Sequence, residues 1–128
     1  MTGERYTIEI EPEVRLWLES LSAHHYVIVE QKVDRLAENA TTLSEPYTRH
    51  LGGKLRELRF DLGGSAQRIT CWIAADRRVV LLTVFSKTKM RETAEVDRAR
   101  AVQAACEASH APAAEHDIYS RPIKEELR

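Results

Sequence analysis

Cysteine is scarce in this chain of 128 residues: only Cys71 and Cys106 occur. No C-x-x-C pair and no His–Cys spacing able to hold zinc accompanies them. Both are expected to be buried thiols, with no metal or cofactor role. Long apolar runs are missing too, and none approaches the ~20 residues that a membrane span needs. The N-terminal "MTGERYTIEIEPEV" alternates like a folded strand and does not read as a secretory leader. These absences point to a soluble protein that stays in the cytoplasm. Internal repeats and low-complexity tracts are also lacking. At 14.6 kDa the chain is long enough for one core and short of a second.

What is present is charge, unevenly placed. The net charge is only −1, yet residues 1–45 hold 4 Lys/Arg against 9 Asp/Glu, residues 46–91 hold 10 against 3, and residues 92–128 hold 5 against 8. A basic middle third between acidic flanks suggests an anionic partner for one face of the fold. The plainer reading of such a block is a solvated, salt-bridged surface.

The coarse architecture follows from periodicity. "RYTIEI" sets Tyr6, Ile8 and Ile10 on one side of a strand and Arg5, Thr7 and Glu9 on the other. Pro12 suits a first helical position, and Val14, Trp17, Leu18 and Leu21 give one apolar stripe. Ser22 can cap a second helix, in which Tyr26, Val29, Val33, Leu36, Ala37 and Ala40 keep the helical spacing to about Asn39. Residues 41–53 read as a loop. Three strands follow at about 54–60, 67–74 and 79–86, joined by the short connections "DLGGSA" and "ADRR", so an antiparallel meander is expected. A last helix starts near Thr93, with Val96, Ala99, Val102, Ala105 and Cys106 inward, and fades near Ser109. Residues 110–128 lack periodicity and are expected to form a mobile or partner-bound tail.

Within the meander, alternation predicts two faces. Leu58, Ile69, Cys71, Ile73, Val80, Leu82 and Val84 are expected inward. Glu57, Arg59, Arg68, Thr70, Trp72, Thr83, Phe85 and Lys87 then lie outward. Cations side by side on a sheet repel unless an anion or a carboxylate offsets them. Trp72 and Phe85 beside Arg59, Arg68 and Lys87 would suit single-stranded RNA, which is held by stacking and guanidinium groups. The competing expectation is that the C-terminal helix or tail packs over these aromatics.

The stretch "LGGKLRELRF", then "QRITCWI", "VVLLTVFSKTKM" and "ETAEVDRARA", resembles the RelE/HigB group of bacterial type II toxins, in particular the phage-related HigB-like branch. The family pattern is roughly L-x-x-x-L-x-E-L-R, an Arg early in the next strand, an apolar strand ending in F-x-K-K, and a helix with E-x-x-x-A. The likeness spans about residues 5–109 and is strongest over 51–101. It implies an α+β, microbial-ribonuclease-like fold with a small antiparallel sheet, two N-terminal helices and a C-terminal helix. It also implies a metal-independent endoribonuclease that cuts mRNA on the ribosome, and a cognate antitoxin, typically a helix-turn-helix protein, with which the toxin can assemble on operator DNA. By position, Arg59 matches the Arg of E-L-R, Arg68 that of the next strand and Lys87 the first Lys of F-x-K-K, with Lys89 displaced by one from the second.

Metal-free RNA cleavage removes the 2′-OH proton, neutralises a phosphorane and protonates the leaving 5′ oxygen. Arg68 and then Arg59 suit the second task, because arginine stays charged and offers a planar fork of donors. Glu57 is the candidate base, and Lys87 a candidate acid or base. Lys54, Arg56, Trp72, Phe85, Lys89 and Arg91 complete the expected RNA-binding surface. The chain departs from relatives that carry a His or Tyr near the end of the last strand: "SKTKMRE" stands there, leaving His50, His116 and Tyr119 as remote substitutes. Two other functions share the fold, that of a non-catalytic antitoxin- and operator-binding partner and that of a ParE-like gyrase inhibitor.

Overall fold

The computed structural model describes residues 5–87, 92–109 and 117–118. Strand β1 (Thr7–Ile10) leads into helix α1 (Pro12–Ser20) and helix α2 (Ala23–Glu38). Pro12 at the start of α1 suits the fixed φ of a first helical turn. The Ser22 hydroxyl accepts the His25 N–H at 3.1 Å and caps α2, as its position in the sequence suggested. Then come β2 (Thr48–His50), β3 (Arg56–Leu62), β4 (Ser65–Ala74), β5 (Arg78–Ser86), α3 (Glu92–Ser109) and β6 (Asp117–Ile118).

The sheet runs β2-β3-β4-β5-β1-β6. β2 through β5 are antiparallel neighbours, and β1 lies parallel to β5. The β3–β4 connection is the two-residue Gly63-Gly64 turn, both at positive φ (55° and 85°), where a side chain would be strained. Residues 41–53 are not loop throughout. The three residues of β2 pair with Leu58, Glu57 and Arg56, an element too short to show alternation in sequence. In the expected tail, Asp117–Ile118 pairs antiparallel with β1.

The sheet divides two layers. On one side α1 and α2 bury Val14, Leu18, Tyr26, Val29, Val33 and Leu36 against Ile8, Ile10, Leu58, Phe60, Leu62, Ile69, Cys71, Val79 and Leu81. Burial pushes the Cys71 thiol up to about 12, so it is protonated and inert at neutral pH. On the other side α3 covers Leu55, Trp72, Ala74, Val80 and Leu82, with Ala99 at the contact and Val96, Val102 and Cys106 packed around it. Ala105, expected inward, is exposed, and Gln103 is buried in its place.

The phase of β5 differs from simple alternation. A register shift at Thr70/Cys71 pairs Thr70 with Thr83 but Cys71 with Leu81, leaving Leu82 as the extra residue. Val80 and Leu82 therefore face α3, not the α1–α2 layer, whereas Val84 packs toward α1–α2 as expected. The Thr70 hydroxyl bridges the bulge: it lies 2.6 Å from the Thr83 hydroxyl and accepts the Thr83 N–H at 3.1 Å.

Candidate nucleic-acid interface

The same face also carries Glu57 and Arg59 from β3, Arg68 and Thr70 from β4, and Thr83 and Phe85 from β5. Pairing places these side by side: Glu57 opposite Thr70, Arg59 opposite Arg68, and Arg68 opposite Phe85. Residues on directly opposed positions of antiparallel strands share a face and lie close together. Two arginines in that relation repel unless something sits between them.

Glu57 sits between them. Its Oε2 is 3.6 Å from Arg59 Nε and 3.7 Å from Arg68 Nε, and its side chain is fully buried while those of the arginines are 20% and 7% exposed. Neither separation is a hydrogen bond. Among the described residues, both Glu57 oxygens and both Nε–H groups are buried without a hydrogen-bonding partner. Burial raises the Glu57 carboxyl above its ordinary value, opposed by the positive charges of Arg68 and Arg59. Glu92, at the start of α3, adds to the rise, and Arg49 opposes it. Arg68 also donates to the Gln67 carbonyl at 3.0 Å, and the Arg59 N–H donates to the Tyr47 carbonyl at 2.9 Å. The result is a carboxyl raised above its ordinary value by burial, flanked by two donor forks whose charge it only partly satisfies. Such a group can take up a proton, and such forks can hold a phosphate.

Lys87 follows β5 directly and is exposed, its backbone N–H donating to Ala66 at 2.8 Å. Arg59, Arg68 and Glu57 thus come together, with Lys87 at the rim of the same end of the sheet.

Other residues of the expected RNA surface are committed elsewhere. Lys54 pairs with Glu107 of α3 and stands 5.9 Å from the centre of the Trp72 ring. Arg56 opposes Cys71 on the α1–α2 side and donates to the Ala40 carbonyl at 3.1 Å, so it does not share a face with Arg59. Trp72, 7% exposed, lies under α3 and offers no open ring for a base; Phe85 is 8% exposed and offers little. His50 opposes Arg56, and its ring bonds the Gly53 carbonyl at 2.7 Å, away from the arginines. Cys106 is half-buried, not buried, in a cleft of about 360 Å³ shared with Lys54, Trp72, Arg78 and Glu107. Burial raises its thiol, against a lowering contact from the Trp72 indole. Lys89, Arg91, His116 and Tyr119 lie outside the described residues. Among the described residues no group of three or more His, Cys, Asp or Glu is placed to hold a metal ion, and no helix is long and apolar enough to cross a membrane.

One feature had no signal in sequence. Arg98 of α3 donates to Glu13 of α1 at 2.6 and 3.1 Å and to Glu95 at 2.9 and 3.2 Å, while Glu13 accepts the Val84 N–H of β5 at 3.1 Å. Glu13 and Arg98 are 85 positions apart, so only the fold makes them partners. This clamp ties α3 to the rest of the molecule beside the bulge.

Residues 16–105 match the family model described as phage derived protein Gp49-like (DUF891). The chain belongs to the Gp49-like family. Among solved structures, this Gp49-like protein is similar to the E. coli toxin RelE in the free state, a form carrying two Arg-to-Ala substitutions. The TM-score is 0.54 at 13% identity, and the match covers 78% of this chain and 98% of RelE. At that identity the likeness is one of fold, and it gives the Gp49-like chain the α+β, microbial-ribonuclease-like architecture of RelE, in agreement with the resemblance read from sequence. No curated protein sequence matches the chain.

Proposed function

We propose that this Gp49-like protein is the toxin of a toxin–antitoxin pair and acts as a metal-independent endoribonuclease on mRNA in the ribosome. The observation that carries this reading is the Arg59–Glu57–Arg68 group, a buried carboxyl held between two guanidinium groups at 3.6 and 3.7 Å on the outer face of the sheet. A phosphodiester entering there replaces the loose carboxylate pairing with charge-assisted hydrogen bonds to the arginines. Glu57, relieved of its neighbours and raised by burial, accepts the 2′-OH proton. Arg68 and Arg59 stabilise the extra charge of the phosphorane, and Lys87 at the rim serves the departing 5′ oxygen. The work is done in the cytoplasm, where ribosomes are, and a helix-turn-helix antitoxin is the expected neutralising partner, with hetero-oligomers on operator DNA.

In vitro translation with primer extension on the message tests this. Cleavage within ribosome-occupied codons, lost on Arg68→Ala without loss of folding, supports the proposal. A message left intact at all concentrations of protein sinks it.

A specific observation favours a second reading. Arg68 is only 7% exposed and Glu57 not at all, which suits a structural ion group under a binding surface. On that reading the chain is a non-catalytic antitoxin- and operator-binding partner. Expression without antitoxin separates the two: growth arrest relieved by Arg68→Ala supports catalysis, and absence of arrest supports the regulatory role.

A further inference from the structure

Base stacking was expected of Trp72 and Phe85, and the fold buries both. The requirement they were to meet remains. An RNA strand held only at its phosphates is not fixed in register, and aromatic platforms usually supply that grip.

Beyond Leu58, β3 has no β2 partner, because β2 begins at Thr48 opposite Leu58. A groove of about 480 Å³ runs along this part of β3, lined by Lys32 of α2, Tyr47 before β2, Asp61 of β3, and both Arg59 and Arg68. Arg59 and Arg68 thus belong both to this groove and to the group around Glu57. Tyr47 is one of three large apolar side chains left exposed among the described residues, at 43%. Its position is fixed twice. Its carbonyl accepts the Arg59 N–H at 2.9 Å, and the Arg35 guanidinium lies 4.3 Å from the ring centre. A ring backed by a cation in this way is held in one orientation before any ligand arrives, which lowers the entropy lost on binding. Among the described residues, three cations line the groove, Lys32, Arg59 and Arg68, against one carboxylate, Asp61. The balance suits a polyanion with a flat, apolar part.

We infer that Tyr47 is the stacking platform for a nucleobase next to the scissile phosphate of single-stranded RNA, with Lys32 on the adjoining phosphate. This inference rests on the proposed nuclease activity and names the substrate contact that sets register. Tyr47 is a specificity-determining residue here: it contacts the base and takes no part in proton transfer.

The test uses the full chain with translating ribosomes, comparing wild type with Tyr47→Ala, Tyr47→Phe and Tyr47→Leu, and with Arg68→Ala as the control for activity itself. Thermal unfolding of each variant is measured alongside. Stacking on an aromatic residue is lost in the Ala and Leu variants, which should weaken cleavage roughly 5- to 150-fold and spread the cuts over more positions. Tyr47→Phe keeps the ring and should keep both rate and cut-site pattern. Tyr47→Leu keeps apolar bulk against Arg35, so it decides the matter if Tyr47→Ala fails to fold. Cleavage and cut sites unchanged in Tyr47→Leu, or Tyr47→Phe as impaired as Tyr47→Leu, overturns the inference while leaving the nuclease reading intact. Wild type that never cleaves overturns both.

Discussion

Two halves of one sheet face behave oppositely in this protein. In the half under α3, Leu55, Trp72, Val80 and Leu82 form an apolar cluster closed by Ala99. In the other half, on the same strands and the same side, Glu57, Arg59 and Arg68 form a buried charged group with unsatisfied polar atoms. Strand alternation assigns both sets to one face and cannot tell them apart. The roofed half contributes stability by removing apolar area from water. Among the described residues, the other half buries four atoms of charged groups without hydrogen bonds, where the roofed half has the Trp72 indole nitrogen alone, a cost that folded proteins tolerate chiefly where a site needs it.

Damage to the roofed half has the largest expected effect. Trp72→Ala removes a large side chain from beneath α3, and such truncations cost about 3–5 kcal/mol. Urea unfolding should show that loss, a large share of the total stability of a domain this size. A loss below about 1 kcal/mol would mean that α3 packs too loosely for the cluster to count as core. The mirror experiment lies in the other half. Arg68→Ala should reduce cleavage ~10²–10³-fold, the usual effect of deleting one preorganised donor to a developing charge. Retention of full cleavage in translation extracts would show that the charged half is not a catalytic site.

Much of this division was legible before the fold was known, and the rest was not for identifiable reasons. Arg59 and Arg68 fall on one side of their strands by parity alone, and Ser22 announces a helix start by its capping chemistry. Alternation gives Val80 and Leu82 the wrong face because a bulge depends on the partner strand, and nothing in "VVLLTVF" marks Leu82 as the extra residue. Arg56 lies between Leu55 and Glu57, residues of the other face, and its role is set by the Ala40 carbonyl of a distant segment. Trp72 looked like a stacking residue because alternation gives a face but not what covers it. Tyr47 gives no signal in sequence because it stands in a stretch without periodicity, where its exposure and its Arg35 backing are visible only in three dimensions.

A subtler contrast concerns pH. The Glu57 carboxyl is raised by burial, and an unfolded chain returns it to its ordinary value near 4.5. Between those two values the unfolded chain has released its proton and the folded chain still holds it. Stability contributed by Glu57 is therefore full below pH 4.5 and is lost as pH rises through the folded value. Glu57→Gln removes this titration, so its stability relative to wild type should improve as pH rises from about 4 toward 7. Urea midpoints measured across that range check the slope. Curves that stay parallel would show that Arg59 and Arg68 fully offset the burial of the charge.

The smallest effect is expected at the clamp that holds α3 over its half of the face. Arg98 makes short contacts with Glu13 and Glu95, and the hydrogen bond to Glu13 is the main cause of its raised pKa. Its side chain is nevertheless 43% exposed, and solvent screens such pairs until they contribute about 0–1 kcal/mol. Arg98→Ala should therefore lower stability by less than about 1 kcal/mol, with a difference that shrinks as salt rises. Glu13 differs in kind, because its Oε2 also accepts the Val84 N–H. Removing its carboxylate leaves a backbone donor on β5 without that partner, which costs about 1–3 kcal/mol where water cannot reach it. Glu13→Ala should thus exceed Arg98→Ala and persist in high salt. Equal effects for the two would mean that the clamp acts only as an ion pair and does not support the strand beside the bulge.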